Sequence, residues 1–489
     1  MLIDSPAIGN RAGLSADVCI IGGGPCGMVL AQALAARGRD VLLVESGQRH
    51  RDDRLQGLNH GEVRGVAYAG LAATRHRQFG GTPHTWNTPL PGGRMGAKYC
   101  PLDALDLERW PLAPGELTPY YDAAQPVCGL GPFAYDASDW RGQGPAPWDG
   151  PGELENAVYQ FGPGALFTDG LPAELLASSA VRILPGVTAC RLERRGSRVT
   201  AVEAALDPAH RRTIRADTVI LAAGGIENAR LLLASGLAHD WLGRGFMEHP
   251  RDYSLVLEPS PTSPFDAARF YDRHVAADGT ILCGRLGLSA AARRREGLPN
   301  AAVTLHLRRR AGPEPVSRRL MRRLRLSGPP FGGGYGWSDR SGLEREFDAF
   351  RLVVNFEQHP HRDNRLALDG PPDPFGVPRA VLHYSWRAEE QAGLERLRGL
   401  LARWFQDAGH GVLHCPEGVP PDLSAHHHLG LTRMSHDPVD GVVTPECRVH
   451  GMDNLHVAGA SVFPTGGFAN PTLTAIALAL RLAERLPHA

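Results

Sequence analysis

The chain of 489 residues is long enough for two hydrophobic cores, and its 52 basic and 52 acidic residues give a formal net charge of zero. A balanced charge argues against nucleic acid and acidic membranes as partners. No charged segment precedes an apolar run at the N-terminus and no run of about 18 apolar residues occurs, so we expect no signal peptide, no membrane span and a cytoplasmic location. Eight cysteines without a C-x-x-C pair are then expected to be free thiols.

The first organised segment combines a strand, a glycine-rich turn and a helix. Residues 17–21 are apolar and β-branched, the turn at 22–27 reads GGGPCG, and a helical pattern continues over 28–37. A second apolar strand at 41–44 ends in Glu45. This order of strand, turn, helix, strand and terminal acid is typical of a dinucleotide-binding fold.

The three glycines and the glutamate of that fingerprint each have a physical role. Gly22 permits the tight turn, Gly24 lets backbone amides approach a pyrophosphate, and Gly27 allows the helix to pack closely on the strand. Glu45 can accept hydrogen bonds from ribose hydroxyl groups. The alternative is a glycine-rich turn followed by a surface glutamate.

A second glycine pair follows an irregular polar stretch. Gly80 and Gly81 lie between Arg77 and the sequence His84-Thr85-Trp86. Small residues flanked by arginine, hydroxyl groups and aromatic rings suit a loop that wraps a planar ring and a phosphate. Taken alone, the same residues are only a surface loop.

The composition and the strand pattern change at two places in the middle of the chain. Residues 145–164 are rich in proline and glycine and indicate a crossing between domains. A buried strand at 217–221 precedes a small-residue turn and a helix at 226–233, so we expect it to join the sheet of the first two strands. The nucleotide-binding domain is then built from separated segments. Residues 255–415 contain alternating strands with long insertions.

Two basic runs interrupt those insertions. Residues 308–310 and 318–325 are rich in arginine, and a glycine-rich stretch follows at 332–336. The simplest interpretation is that these arginines lie on a solvent-exposed face of a helix. A mobile lid or a partner surface is the alternative, because glycine-rich loops absorb large backbone changes.

The last segment, 425–489, brings together an imidazole and an amide. Three histidines at 426–428 precede Gly430, a short apolar strand at 454–459 follows, and Asn470-Pro471-Thr472 opens a final helix. A helix N-terminus favours an anion. A metal site is an alternative for the histidines, but no Cys, Asp or Glu ligands stand at suitable spacing.

Together these segments resemble the glucose–methanol–choline (GMC) flavin oxidoreductase family. The resemblance is carried by residues 17–45, 77–86, 242–250 and 427–472, and it is strongest to the bacterial branch of pyranose oxidases and sugar or C-glycoside 3-oxidases. It implies a mixed α/β fold, with a discontinuous Rossmann-like FAD-binding domain and a substrate domain on a mainly antiparallel sheet with helices.

The resemblance also implies roles for individual residues. His427 stands three residues before Gly430, where the family has its catalytic base, and Asn470 would hydrogen-bond the same substrate hydroxyl. His426 and His428 would point elsewhere if the segment is extended, because side chains alternate along a strand. Leu431 stands where the family usually has threonine.

Further residues are implied as contacts of the cofactor or substrate. Thr85 stands where some pyranose oxidases attach flavin through a histidine, so the FAD is expected to be non-covalent. Gln358, at a strand end, is expected to contact substrate, or else to be a surface amide. The expected FAD contacts are Gly22, Gly24, Gly27, Glu45, Arg77, Gly80, Gly81, Val187, Gly459, Ala460, Pro471 and Thr472.

The sequence thus predicts an FAD-dependent enzyme that oxidises a secondary hydroxyl of a sugar or glycoside, with dioxygen or another electron acceptor and no metal. Oxidation of a non-sugar alcohol, such as a sterol or an amino-sugar precursor, and a non-catalytic flavoprotein are the alternatives. The expected FAD domain comprises 1–105, 155–255 and 418–489, and the substrate domain comprises 106–154 and 256–417 with a candidate lid near 308–340.

Overall fold

The structure is a computed structural model that describes residues 14–143, 145–260, 265–309, 336–337 and 347–487. Its strands are β1 (Leu14–Ile21), β2 (Val41–Glu45), β3 (Glu62–Gly65), β4 (Thr88–Pro89), β5 (Met95–Tyr99), β6 (Leu154–Pro163), β7 (Val181–Pro185), β8 (Thr188–Arg195), β9 (Arg198–Asp207), β10 (His210–Leu221), β11 (Arg251–Asp252), β12 (Val256–Pro259), β13 (Arg273–Val275), β14 (Ile281–Leu288), β15 (Ala301–Arg309), β16 (Phe347–Phe356), β17 (Arg365–Ala367), β18 (Val381–Tyr384), β19 (Gly411–His414) and β20 (Leu455–Val457). Its α-helices are α1 (Pro25–Ala36), α2 (Asp53–Gln56), α3 (Ala104–Leu107), α4 (Thr118–Val127), α5 (Leu171–Ala177), α6 (Gly225–Ala234), α7 (Ala290–Glu296), α8 (Ala388–Asp407) and α9 (Thr472–Arg485).

The first sheet is assembled from distant parts of the chain. Its strands β7, β2, β1 and β10 pair in parallel, and β20 joins the end of β10, also in parallel. The other end of β10 continues into an antiparallel meander with β9 and β8. All five residues of β2 are buried, as expected for a parallel strand covered on both faces.

Helices α1 and α9 pack on each other beside this sheet. Apolar residues of α1, such as Met28 and Leu30, are fully buried, and α9 contributes Ile476 and Ala477 to the same core. Helix α1 begins at Pro25, whose missing N–H costs nothing in the first turn of a helix. Residues from both ends of the chain therefore form one core.

The second sheet has ten strands and is antiparallel throughout its described pairings. Its order runs β19-β12-β16-β15-β14-β6-β5-β4, with β11 beside β16 and β13 beside β14. Strands β17, β18 and β3 form a small third sheet. The predicted fold class, with a discontinuous nucleotide-binding sheet and an antiparallel second sheet, is confirmed.

The boundaries between the two domains remain a prediction. We propose to assign strands β5 and β6 to the substrate domain rather than to the FAD domain. Strands β5 and β6 pair in the ten-stranded sheet, so the segments that contain them belong with the substrate side. The candidate lid near 308–340 lies largely outside the described residues. Among the described helices, none is both long and apolar enough to cross a membrane.

Candidate active site

Three helices begin around one elongated cavity beside the first sheet. The first residues of α1, α6 and α9, which are Pro25, Gly225 and Thr472, all line it. Within the described part of the chain, none of these three N-termini receives a hydrogen bond from a capping side chain. Their amide groups and helix dipoles are thus available to an anionic ligand such as a diphosphate.

The glycine-rich turn has no room for side chains where it meets the neighbouring strand and helix. Gly22 has φ +112°, and a Cβ there would lie 2.5 Å from the carbonyl oxygen of Ala222. A Cβ on Gly27 would lie 1.9 Å from the carbonyl oxygen of Gly22. By contrast, a Cβ on Gly24 would meet no atom within 4 Å, because this residue faces the cavity. The turn therefore presents bare backbone to a ligand.

Glu45 lies at the end of β2 and lines the same cavity. Its carboxylate accepts hydrogen bonds from the amides of Gly23 at 2.7 Å and Gly47 at 2.5 Å. Burial nevertheless raises its pKa above the usual value. Each carboxylate oxygen retains a further lone pair for a ribose hydroxyl group, so the predicted ribose contact remains open to it.

The second glycine pair packs on the fingerprint turn. The amide of Gly80 donates to the carbonyl of Gly23 at 2.9 Å, and Gly81 lines the cavity. Arg77 also lines the cavity and lies 3.1 Å from the carboxylate of Glu227. Although burial opposes ionisation of Glu227, nearby arginines hold the pKa of that carboxyl well below its usual range.

The remaining predicted cofactor contacts come together at this cavity. It is lined by Val187, which precedes β8, by Gly459 and Ala460, which follow β20, and by Pro471 and Thr472 at the start of α9. Their sequence separation is large, but β20 and β10 pair in one sheet and α9 packs on α1. The structure thus brings these five residues together with the fingerprint turn.

A second cavity of about 810 Å³ lies over the ten-stranded sheet. Alternate residues Arg351, Val353 and Asn355 of β16 line its floor, as expected for one face of a strand. Its volume lies within the usual range for small-molecule sites. His427 and Asn470 line both cavities, and so mark the place where the two spaces meet.

His427 is held by a second imidazole, that of His249. The two Nδ1 atoms are 2.8 Å apart, and Nε2 of His249 lies 3.1 Å from the carbonyl oxygen of Gly466. Burial lowers the pKa of His249 to about 3, so this ring is neutral and carries its single proton on Nε2, where it donates to the carbonyl. Its Nδ1 is then an acceptor, and His427 must donate from its own Nδ1.

That arrangement determines the tautomer of His427. Burial, then the neighbouring His249 and the charge of Arg251, lower the pKa of His427 well below its usual value, so its ring is also neutral. With its proton on Nδ1, its Nε2 carries a lone pair. A neutral imidazole with an unprotonated nitrogen can accept a proton from a hydroxyl group.

A buried carboxyl group supports the backbone of the same segment. Glu248 accepts hydrogen bonds from the amide of His427 at 2.9 Å and from the hydroxyl of Tyr68. Burial raises the pKa of Glu248 to about 7, although the Tyr68 hydroxyl opposes the shift. The Tyr68 oxygen in turn accepts from Nε2 of His428 at 3.1 Å.

The positions of the neighbouring histidines do not support the expectation that both point away from the site. Nε2 of His428 contacts the Tyr68 hydroxyl, but the residue also lines the first cavity together with His427. His426 lines both cavities beside His427, which the extended-strand argument did not predict. The reason is its backbone: His426 has φ +66°, a left-handed conformation that breaks the alternation of side chains.

Gln358 is not brought to either cavity, so its predicted substrate contact is not supported by its position. The side chain is buried, and its Oε1 accepts from the amide of Glu248 at 3.2 Å and from the Tyr384 hydroxyl at 3.1 Å. Its Nε2 donates to Glu390 at 3.0 Å. The amide therefore joins structural elements behind the site.

Sequence reasoning did not select His249 or Glu248 as functional residues, although it noted their segment in the family resemblance. The adjacent glutamate and histidine in the segment that resembles the family were the available signal. Nothing local indicated that the histidine contacts another ring 178 residues away.

The chain matches three protein-family models. Two family models described as GMC oxidoreductase match residues 171–251 and 360–479, and a model described as an FAD binding domain matches residues 15–97. The matched segments include the glycine-rich turn, the Glu248-His249 pair and both residues at the junction of the cavities. FAD is therefore the cofactor of this protein.

Individual relatives extend over the whole chain or over part of it. Paromamine 6'-oxidase of Streptomyces fradiae is 28% identical over 96% of this chain and 90% of the relative. C-glycoside 3-oxidase of Arthrobacter globiformis is 35% identical over 26% of this chain and 24% of the relative. The solved structure of pyridoxine 4-oxidase from Mesorbium loti has a TM-score of 0.60 at 18% identity, covering 97% of this chain and 100% of that chain, and so shares the fold.

Proposed function

This chain belongs to the GMC oxidoreductase family, and on that premise we propose that it uses FAD to oxidise a secondary hydroxyl group of a sugar or glycoside to a ketone. The observation that carries the proposal is the position of His427 and Asn470. Both line the junction between the cavity with the dinucleotide fingerprint and the cavity over the antiparallel sheet. Relatives named for the oxidation of paromamine and of C-glycosides support the substrate class.

The residues of the first cavity suit FAD by their chemistry. Uncapped helix N-termini and the bare backbone at Gly24 suit the diphosphate, and Glu45 suits a ribose. Thr85, rather than a histidine, lines the second cavity at the expected attachment position, while His84 turns to the carbonyl of Phe79 at 2.9 Å. We propose that the FAD is held without a covalent bond.

The bound flavin supplies an acceptor for the hydride that leaves the carbinol carbon. Nε2 of His427, unprotonated because the ring proton is donated to His249, accepts the hydroxyl proton. The amide of Asn470 donates to the substrate oxygen and stabilises the negative charge that develops on it. The N-terminus of α9 next to Asn470 adds a favourable dipole for negative charge at the same place.

Anaerobic mixing with a panel of glycosides and simple alcohols tests the proposal, because only a substrate bleaches the bound flavin. We expect secondary hydroxyl groups of glycosides to bleach it, and His427→Ala to retain yellow protein while bleaching slows roughly 10²- to 10⁴-fold. His414→Ala, at an exposed histidine of β19, is the matched control and should bleach at the parental rate.

The same panel separates the alternatives. Bleaching only by non-sugar alcohols would identify a different substrate class, and no bleaching by any compound would indicate a non-catalytic flavoprotein. Repeating the assay with oxygen tests our further proposal that dioxygen reoxidises the flavin. Return of the yellow colour only after addition of an artificial acceptor would refute the oxidase role.

A further inference from the structure

The cavity over the antiparallel sheet contains an excess of positively charged side chains. Lys98, Arg251, Arg273 and Arg351 line it, and Asp272 is the one carboxylate among its described lining residues. Lys98 is also the only lysine in the sequence. Lys98, Arg251 and Arg273 are half-buried, and such charges need partners, so the excess is unusual for a site that binds only neutral hydroxyl groups.

Among the described residues, three of these cations contact neutral groups, and the charge of Arg251 also acts on the carboxyl group of Glu248. Nζ of Lys98 lies 4.5 Å from the centre of the Tyr159 ring. Arg251 reaches the carbonyl oxygen of Ala425 at 3.5 Å, and Arg273 donates to the carbonyl of Pro89. These contacts solvate the cations only in part, so each cation can still bind an anion.

The mutual repulsion of these cations is visible in their effects on nearby groups. Burial, followed by the charge of Arg251, lowers the pKa of Lys98 to about 7. Burial and then the charges of Lys98, Arg273 and Arg351 lower the pKa of His306 to about 4. A bound anion would relieve this repulsion, whereas a bound ammonium group would add to it.

We propose that the substrate of this site carries an anionic group, such as a carboxylate or a sulfate, which binds among Lys98, Arg251, Arg273 and Arg351. The inference rests on the proposed function and narrows its substrate class. Glycosides with an acidic sugar or an acidic aglycone fit, and a cationic amino-sugar does not. The site therefore differs in charge preference from what an amino-sugar oxidase needs.

The test uses probes of similar size and different charge. These are phenyl β-D-glucoside, its para-carboxy and para-aminomethyl derivatives, and phenyl β-D-glucuronide, which carries the charge on the sugar. Anaerobic flavin bleaching gives an apparent dissociation constant for each probe with the holoenzyme. Calorimetric titration of flavin-loaded His427→Ala gives a second dissociation constant that does not depend on turnover.

We expect at least one carboxylated probe to bind about tenfold more tightly than the neutral probe, and the ammonium probe to bind about tenfold more weakly. The comparison of the two carboxylated probes shows which part of the substrate carries the anion. The difference should shrink in 1 M salt, where charges are screened within about 3 Å. Equal affinity for neutral, anionic and cationic probes would overturn the inference.

Substitutions of cavity residues test whether the preference for an anionic probe arises in this cavity. Lys98→Gln and Arg351→Gln should each weaken the anionic probe about tenfold relative to the neutral probe measured with the same variant. Arg351 is exposed, so its substitution should not disturb folding. Arg403→Gln, at an exposed residue of α8 that lines neither cavity, is the matched control and should change neither constant.

The pH dependence supplies an independent readout for Lys98. The charged and titratable groups around it are Arg251, Arg285, Cys100, Cys283, Tyr159, His249, His306 and His427. Because Lys98 loses its proton near pH 7, affinity for the anionic probe should fall between pH 6 and pH 8 in the parent and stay level in Lys98→Gln.

Failure of this inference can be distinguished from failure of the proposed function. If no probe bleaches the flavin, the proposed oxidation is wrong, and calorimetry still reports the charge preference. If the neutral and ammonium probes bleach it and bind as tightly as the carboxylated ones, the oxidation stands and the anion preference is wrong.

Discussion

The contact between His249 and His427 allows a quantitative prediction. In His249→Leu, the Nδ1–H of His427 loses its acceptor, which lies 2.8 Å away in the parent. As His427 takes the hydroxyl proton it becomes a cation, and a hydrogen bond to a charged group contributes about 1.5–3 kcal/mol, so its loss should slow the reaction by a factor of roughly 10 to 150. The proton is also free to move to Nε2, where it blocks the nitrogen that must accept the hydroxyl proton.

Anaerobic stopped-flow measurement of flavin bleaching, with whichever glycoside reduces the parent, gives the rate and the apparent affinity separately. The maximal rate should fall by that factor while the affinity changes little, because His249 does not line either cavity. His249→Asn should recover most of the rate, since an amide oxygen can accept from His427. His456→Leu, at a buried histidine of β20, is the matched control for loss of an imidazole. Parental rates in His249→Leu, or equal losses in the leucine and asparagine variants, would refute the tautomer argument.

Asn470→Ala should lower the bleaching rate roughly 10²- to 10³-fold, as loss of one oxyanion donor does, while flavin content measured by absorbance stays unchanged. Gly27→Val should yield colourless protein, because its side chain would collide with the carbonyl of Gly22, and a yellow variant with parental flavin content would contradict that packing. Gln358→Leu should lower the free energy of unfolding in urea by about 1–3 kcal/mol with little change in substrate affinity, and a selective loss of affinity would restore it as a substrate contact. The bleaching rate of the parent at saturating substrate should stay level from pH 8 to pH 6, because the pKa of His427 lies well below 6.5; a half-maximal rate near pH 6.5 would show an ordinary imidazole.

The parts of the fold that the sequence predicted well are those set by local chemistry. The turn at 22–27 needs small residues at fixed spacing between a strand and a helix, and this pattern can be recognised from the local sequence alone. The assembly of the first sheet from separated strands was predicted because each was short, apolar and followed by a small-residue turn. The junction of His427 and Asn470 followed from the family resemblance, and its catalytic role stays a prediction.

The parts that the sequence did not reveal depend on long-range contacts or on backbone angles. Gln358 was interpreted as accessible because it ends a strand, but partners at 248, 384 and 390 enclose it. The left-handed backbone of His426 broke the alternation that was assumed for its segment. Lys98 was not selected as a functional residue, because its place in a basic cavity depends on the pairing of distant strands.

The order in which the first sheet is completed has a consequence for biosynthesis. Strand β20 and helix α9 follow β10 in the chain by more than two hundred residues, yet both border the FAD cavity through residues next to them. At about 5–20 residues per second, the ribosome needs on the order of 10–50 s to supply them after β10 has emerged. During that interval, the nascent polypeptide has the phosphate-binding loop but not the remaining walls of the pocket. The complete set of residues that lines the FAD cavity is consequently available only after the start of α9 has been synthesised.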